Sequence, residues 1–228
     1  MDGYKRKILN FYWFSSDGKI AIVFRKIIFC LLCNRKYIRG KSNKIDIRGL
    51  FLGSKIKIRG NNNTVIVHSG GVSKGILIEI YGDNNVIEIG DDTHFTGTNI
   101  SCWDNGNVIT IGKNVNVLKS NISCMEGKII KIGKGSLISY DVEIRTSDSH
   151  GIYDVNKNRI NRAKNITIED NVWIAQRCLI FKGAYIPENC VIGANSFVNK
   201  HLCFRNSVYV GTPVRCIKHE INWIAERI

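Results

Sequence analysis

Proline is scarce in this chain, with two residues in 228 against 21 glycines, so no proline-rich linker divides it. Long apolar runs are missing too. The best candidate, IAIVF–RK–IIFCLLC at 20–33, is broken by Arg25 and Lys26. It is too short to span a bilayer and too far from the N-terminus for a standard signal peptide. Acidic residues are few, 19 against 33 Lys and Arg, and the resulting +14 is unevenly placed. Residues 1–60 hold fifteen basic and three acidic side chains, whereas the remainder holds eighteen and sixteen. A protein that binds nucleic acid along its whole length would line its binding face with cations. Here the excess belongs to the first quarter, which points to a local anionic partner and away from nucleic acid.

Eight cysteines suggest a disulfide framework only in a small secreted domain, and this chain is larger. CLLC at 30–33 is a lone CxxC, with no second pair to complete a zinc site. The cysteines read as reduced and mostly packed inside a cytosolic protein.

What the chain does have is repetition. NISCWDNGNVITIG at 99–112 returns as NISCMEGKIIKIG at 121–133, and YGDNNVIEIG at 81–90 has the same design. Val67, Ile89, Ile111 and Ile132 follow one another at steps of 22, 22 and 21. Each unit is an Asn- and Gly-rich turn followed by a short β-branched strand. Such turns suit residues that tolerate positive φ. Cys102 and Cys124 lie one repeat apart and are expected to stack.

Downstream the period tightens to six: Ile168, Ile174, Ile180, Ile186, Ile192 and Val198. Val172, Cys178, Ala184, Cys190 and Ser196 stand two residues before the last five. Three hexads make a coil of 18 residues with flat faces, stacked at strand spacing of about 4.8 Å. The pattern predicts an all-β parallel β-helix. His68 and His94, 26 apart, are out of step with the 22-residue repeat and are not expected to form a metal site.

Ile20, Val23, Phe24, Ile27, Ile28 and Leu31 follow helical spacing beside Arg25, Lys26, Arg35 and Lys36. Two readings stay open: a helix capping the open end of the coil, or a basic amphipathic anchor at an anionic membrane. The chain thus divides into a basic, partly helical segment 1–40, a β-helix domain 41–218, and a tail 219–228 expected to be helical.

The hexads pause between Ile144 and Ile168, and residues 146–165 read as a loop leaving the coil, with His150 as its only histidine. SDSHGIYD at 147–154, the hexads from ITIEDNVWIAQRC onward, and YVGTPVRCIK at 209–218 resemble the hexapeptide-repeat acyltransferases. Within that superfamily they are most similar to bacterial polysaccharide and sialic acid capsule O-acetyltransferases. The resemblance implies a left-handed β-helix, a homotrimer with clefts between subunits, and acetyl-CoA as cosubstrate without a metal. It further implies His150 as general base, with Trp173 bordering the reacting groups. An imidazole near its natural pKa suits proton removal from a sugar hydroxyl. Asp148 or Asp154 is a candidate to hold the tautomer of His150, or simply a solvated loop carboxylate. The resemblance places pantetheine along Ala175, Gly193 and Ala194, with Lys200, Arg215 and Lys218 toward the phosphates. Ala175 replaces the usual glycine after VWI, and Thr212-Pro213-Val214 replaces a common Asn-Pro-Ala.

The expected activity is acetyl transfer to a hydroxyl of a bacterial surface glycan: capsule, O-antigen or sialic acid. N-acetylation of a nucleotide-linked amino sugar and a non-catalytic β-helix scaffold are the alternatives. Need for acyl-CoA places the reaction in the cytoplasm, with peripheral contact at the inner membrane face if residues 1–40 act as an anchor.

Overall fold

Each short run of isoleucine and valine forms a strand of two to five residues in the computed structural model, which describes residue 27 and residues 31–226. From the fourth strand to the twenty-second, each stacks in parallel on the strand three before it, so the chain winds into three long sheets. Sheet A comprises β1 (Arg35–Arg39), β4 (Lys55–Arg59), β7 (Leu77–Tyr81), β10 (Asn99–Trp103), β13 (Asn121–Met125), β16 (Glu143–Arg145), β19 (Leu179–Phe181) and β22 (Phe197–Val198). Sheet B runs from β2 (Lys44–Ile47) to β20 (Tyr185–Ile186) by way of β17 (Ile166–Ile168). Sheet C begins at β3 (Leu50–Leu52) and includes β15 (Leu137–Ile138), β18 (Trp173–Ile174) and β21 (Val191–Ile192). This is the left-handed parallel β-helix that the resemblance implied.

The core is a set of aliphatic ladders. On sheet B, Ile47, Val67, Ile89, Ile111, Ile132, Ile168 and Ile186 stand in register. Each fully buried isoleucine contributes about 1.5–3 kcal/mol, and each coil touches only its neighbours, so the contributions accumulate coil by coil. The early coils are wide because their five-residue A strands turn two side chains inward, such as Ile78 and Ile80. The late coils are narrow because theirs turn in one, such as Ile180. The solenoid therefore tapers from 22 residues per coil, as between Val67 and Ile89, to 18, as between Ile168 and Ile186. Cys102 stacks on Cys124, as the repeat predicts, continuing the inward ladder of Ile58 and Ile80.

At the edge between sheets A and B, Asn43, Asn63, Asn85 and Asn107 form an amide ladder. Each side-chain oxygen accepts from the next asparagine's backbone N–H at 2.9 Å. Gly60 precedes such a turn at φ 147°, where a Cβ would fall 1.9 Å from the Gly82 oxygen, so only glycine permits the coils to close up.

Two expected boundaries change. The coil begins at Arg35, not residue 41, because β1 already pairs with β4 over its full length. The tail is not helical over its described residues 219–226. It runs back irregularly instead: Ile221 N–H donates to the Asn206 carbonyl at 2.9 Å, and Asn189 donates to the Ile221 carbonyl at 3.2 Å. Trp223 is only 9% exposed and its indole N–H donates to the Asn171 carbonyl, so the tail is held by contacts to the coils. Ahead of it, β24 (Arg215–Lys218) turns antiparallel onto β23 (Val208–Val210) and ends sheet C. The helical stripe at 20–31 lies outside the described residues except for Ile27 and Leu31, which are exposed. Among the described residues no helix is long and apolar enough to cross a membrane.

Candidate active site

Between Ile132 and Ile168 the ladder advances by 36 residues, twice the 18 of the coil that follows. The surplus leaves the coil at the A/B edge. Thr146 is still buried in the wall, and Lys164 N–H donates to its carbonyl at 3.1 Å, so the excursion is 147–163, inside the expected 146–165. Its tip is a small hairpin, with Tyr153 bridged to Arg159 and Ile160 N–H donating to the Ile152 carbonyl at 2.9 Å. Asp154 shapes the turn: one of its oxygens accepts from the backbone N–H groups of Asn156 and Asn158, at 2.9 and 2.8 Å. Those bonds, Asn158 foremost, hold its carboxyl below the usual range and account for the residue without any part in orienting His150.

The loop is braced from the coils on either side. One coil earlier, Glu126 takes both Arg159 guanidinium nitrogens at 2.7 Å and also accepts from Ser147. The Arg159 fork, then Ser147, holds the Glu126 carboxyl below its ordinary value. One coil later, Lys182 donates to Asp148 and, at 3.0 Å, to the Asn161 carbonyl. The ammonium of Lys182 is the main reason the Asp148 carboxyl sits low. Arg145 donates to the Ser147 carbonyl at 2.9 Å and to Ser149 Oγ at 2.7 Å.

His150 sits at the centre of these braces. Ser149 before it adopts φ 67°, unusual for a side chain with a Cβ. The Asn161 amide closes around the histidine's backbone: Nδ2 donates to the His150 carbonyl at 2.8 Å, and Oδ1 accepts from Ile152 N–H at 2.7 Å. The imidazole itself is exposed and makes no hydrogen bond among the described residues. Asp148, expected as a possible orienter, is instead turned toward Lys182 and Asn161, because a cation and an amide donor saturate the same oxygen. Its observed work is to anchor the loop.

Trp173 lies on sheet C, 37% exposed, and its indole N–H donates to Ser139 Oγ at 3.3 Å. Trp223 from the tail packs beside it, ring centroids 6.0 Å apart, with its own N–H on the Asn171 carbonyl at 2.8 Å. Ala175 and Gly193 follow β18 and β21 at the C/A edge, where their N–H groups bond the next coil at 2.9 and 2.8 Å. Gly193 has a packing reason to lack a Cβ, which would lie 2.6 Å from Val210 Cγ1. Ala194 is exposed beside it, and so are Arg215 and Lys218 on β24, with no carboxylate paired to either among the described residues. Lys200 follows Val198 along the A/B edge, in line with Lys182 and the loop.

The expected residues therefore fall on two sides of one chain. His150, Asp148 and Lys200 share the A/B edge. Trp173, Ala175, Gly193, Ala194, Arg215 and Lys218 share face C and its edge with A, and in a three-sided coil face C lies opposite the A/B edge. Asn161, Lys182, Glu126, Arg159 and Trp223 were not anticipated, since their roles depend on which coil lies above or below. The cysteines offer no nucleophile in the core: burial pushes the Cys124 and Cys190 thiols up to about 11, and raises the Cys102 thiol well above its ordinary value too. His68 pairs with Glu88 at 3.1 Å, while His94 Nδ1 accepts from Val72 N–H, so the two histidines serve separate neighbours.

No protein-family profile matches the chain. A polysialic acid O-acetyltransferase of Escherichia coli O1:K1 is 34% identical over 95 residues, 41% of this chain and 31% of that protein. A galactoside O-acetyltransferase of Escherichia coli K12 is 37% identical over 93 residues, 41% of this chain and 45% of that protein. The chain thus spans less than half the length of these curated relatives. Solved structures extend the likeness. The polysialic acid O-acetyltransferase OatWY superposes with a TM-score of 0.81 at 28% identity, over 86% of this chain and 92% of that one. The polySia-specific acetyltransferase NeuO gives 0.78 at 27%, over 85% and 90%. In fold, and in the part of its sequence that aligns, the chain is similar to hexapeptide-repeat O-acetyltransferases that act on sialic acid polymers.

Proposed function

We propose that this protein transfers an acetyl group from acetyl-CoA to a hydroxyl of an acidic surface glycan, with His150 as the general base. One observation carries the reading. The loop that breaks the solenoid fixes the His150 backbone from both sides and leaves its imidazole outward and unpaired. The likeness to OatWY and NeuO supports both the reaction type and the acidic acceptor.

The acyl donor supplies a thioester carbonyl. His150 takes the proton of the acceptor hydroxyl as that oxygen attacks, and returns the proton to the departing sulfur, so no covalent enzyme intermediate is needed. Arg215 and Lys218 bind the donor's phosphates, and Trp173 walls its acyl end. Because His150 and Trp173 lie on opposite sides of one chain, a complete site pairs the A/B edge of one subunit with face C of another. A closed trimer supplies three such pairings.

The test is release of free thiol from acetyl-CoA across sialylated and neutral glycans, with product analysis for the ester. His150→Ala should lower turnover by about 10²–10⁴-fold. Near-normal turnover in that variant would sink the assignment.

A further inference from the structure

The first coils concentrate charge on one face. Residues 35–60 contain nine Lys and Arg and a single acid, Asp46. Strand register places five of those cations outward on sheet A: Arg35 over Lys55, Arg39 over Arg59, and Lys57 beneath Tyr37. Lys57 pairs with Glu79, whereas Arg35, Arg39, Lys55 and Arg59 have no carboxylate partner among the described residues. Exposed cations with no carboxylate partner among the described residues, on a protein whose remaining charges nearly balance, call for an anionic ligand.

The same face changes character toward the loop. The column Arg39, Arg59, Tyr81, Trp103, Met125 continues in register. The Arg59 guanidinium lies 5.5 Å from the Tyr81 ring centre, and Tyr81 stacks on Trp103 at 4.5 Å and 12°. Across from that wall stand Asn99 and Asn121. Between the two walls the side chains shrink to Ser101 and Ser123, bonded to each other at 2.9 Å and only 5% and 8% exposed. The result is a shallow groove with a hydroxyl floor, an amide wall and an aromatic wall. It ends at Met125, which Ser149 Oγ touches at 3.6 Å, one residue from His150.

From these observations we infer that the sheet A groove is a second binding subsite, holding the extended chain of an acidic polysaccharide while its end reaches His150. This rests on the proposed glycan acetylation and adds a place and a set of residues for the polymer. Donors line the cationic end and the aromatic wall (guanidinium, ammonium, indole N–H). The carboxylates of the same face, Glu79 and Glu143, are taken up by Lys57 and by the Asn121 amide. Such a lining matches a ligand rich in carboxylates and hydroxyls. The stacked rings present edges, suited to a chain lying along the solenoid axis. A membrane surface would call instead for an apolar floor, and the floor column of this groove is polar, running Lys57, Glu79, Ser101, Ser123 in register. From Arg59 to Met125 there are three coil steps, on the order of 15 Å, so an acceptor must be several sugars long to use the cations.

The experiment measures binding of the full chain to polysialic acid graded by length, without acetyl-CoA, and then turnover on the same series. Arg39→Ala/Arg59→Ala and Trp103→Ala should each weaken binding of long polymer, the double variant by about tenfold, with the loss shrinking as the acceptor shortens. Lys113→Ala/Lys134→Ala, which removes equal charge from the B/C edge, should bind as wild type. An equal loss in that control, or a loss independent of acceptor length, overturns the groove and leaves only net charge. Wild-type binding to anionic phospholipid vesicles or DNA, with none to polysialic acid, overturns the choice of ligand. Groove-dependent polymer binding without acetyl transfer to any glycan would reject the proposed reaction and keep the groove. Transfer to long polymer at wild-type rates in the double variant would reject the groove alone.

Discussion

Asn161 shows how much one amide does here. Its oxygen accepts from Ile152 N–H, and its nitrogen donates to the His150 carbonyl and to Asp148 at 2.8 Å each, so both ends of the group are satisfied in a nearly buried position. Its hydrogen bond to His150 goes to the backbone carbonyl and not to the imidazole. Asn161→Ala removes these three bonds and the one its oxygen accepts from Arg159 Nε at 3.4 Å. It should lower kcat by about tenfold or more if His150 is the base, since small misplacements of a catalytic group are costly. The acyl-donor KM should hold, because Arg215 and Lys218, proposed above to bind the donor, lie on another face. Asn161→Asp should fare no better, as it keeps the acceptor for Ile152 but sets a second carboxylate against Asp148. If kcat, KM and melting temperature all moved together, the residue would be supporting the fold and not positioning the base.

At the level of the element, the loop is a hairpin held by two ion pairs to different coils. The carboxyls of Glu126 and Asp148 both lie below their ordinary values of 4.5 and 3.8, because Arg159 and Lys182 favour the ionised forms. A carboxyl depressed in the folded state contributes stability that is complete above its unfolded value and lost as pH falls through the folded one. The stability the braces contribute should therefore be complete above about pH 5, decline as pH falls through the ordinary carboxyl values and be lost once it passes the lower folded ones. Amide exchange at Ile152 and Ile160, corrected for intrinsic rates, checks this; protection that stays unchanged after both carboxyls have protonated, followed by their carbon chemical shifts, would show that the ion pairs do not hold the loop. The tail is the other irregular element. It docks Trp223 beside Trp173, so the surroundings of the expected acyl site depend on a segment some fifty residues away in sequence.

For the whole molecule, the solenoid and its loop are nearly independent. Ile132 and Ile168 remain in register across the excursion, and Thr146 and Lys164 are hydrogen-bonded where it closes. Replacing 147–163 with a short glycine link should leave the melting temperature within a few degrees while abolishing turnover. Stacked coils take their stability from neighbours, and closing a shorter loop costs little. Collapse of the fold in that variant would show that the loop braces the coil as well as the reverse.

The aliphatic period determined the coil by itself, because a side chain that must point inward at every turn leaves its mark at every turn. The break in that period likewise marked the loop and His150, and the repeat of NISC placed Cys102 on Cys124. The partners of Asp148, the grip of Asn161, the path of the tail and the splitting of the site residues between two sides were decided only in three dimensions. They depend on which side chain of one coil lies over which of the next, including coils of unequal length, and polar contacts of that kind have no period. The groove on sheet A has the same origin: the cations of the first coils are visible in the composition, but only stacking aligns them with Tyr81, Trp103 and the loop.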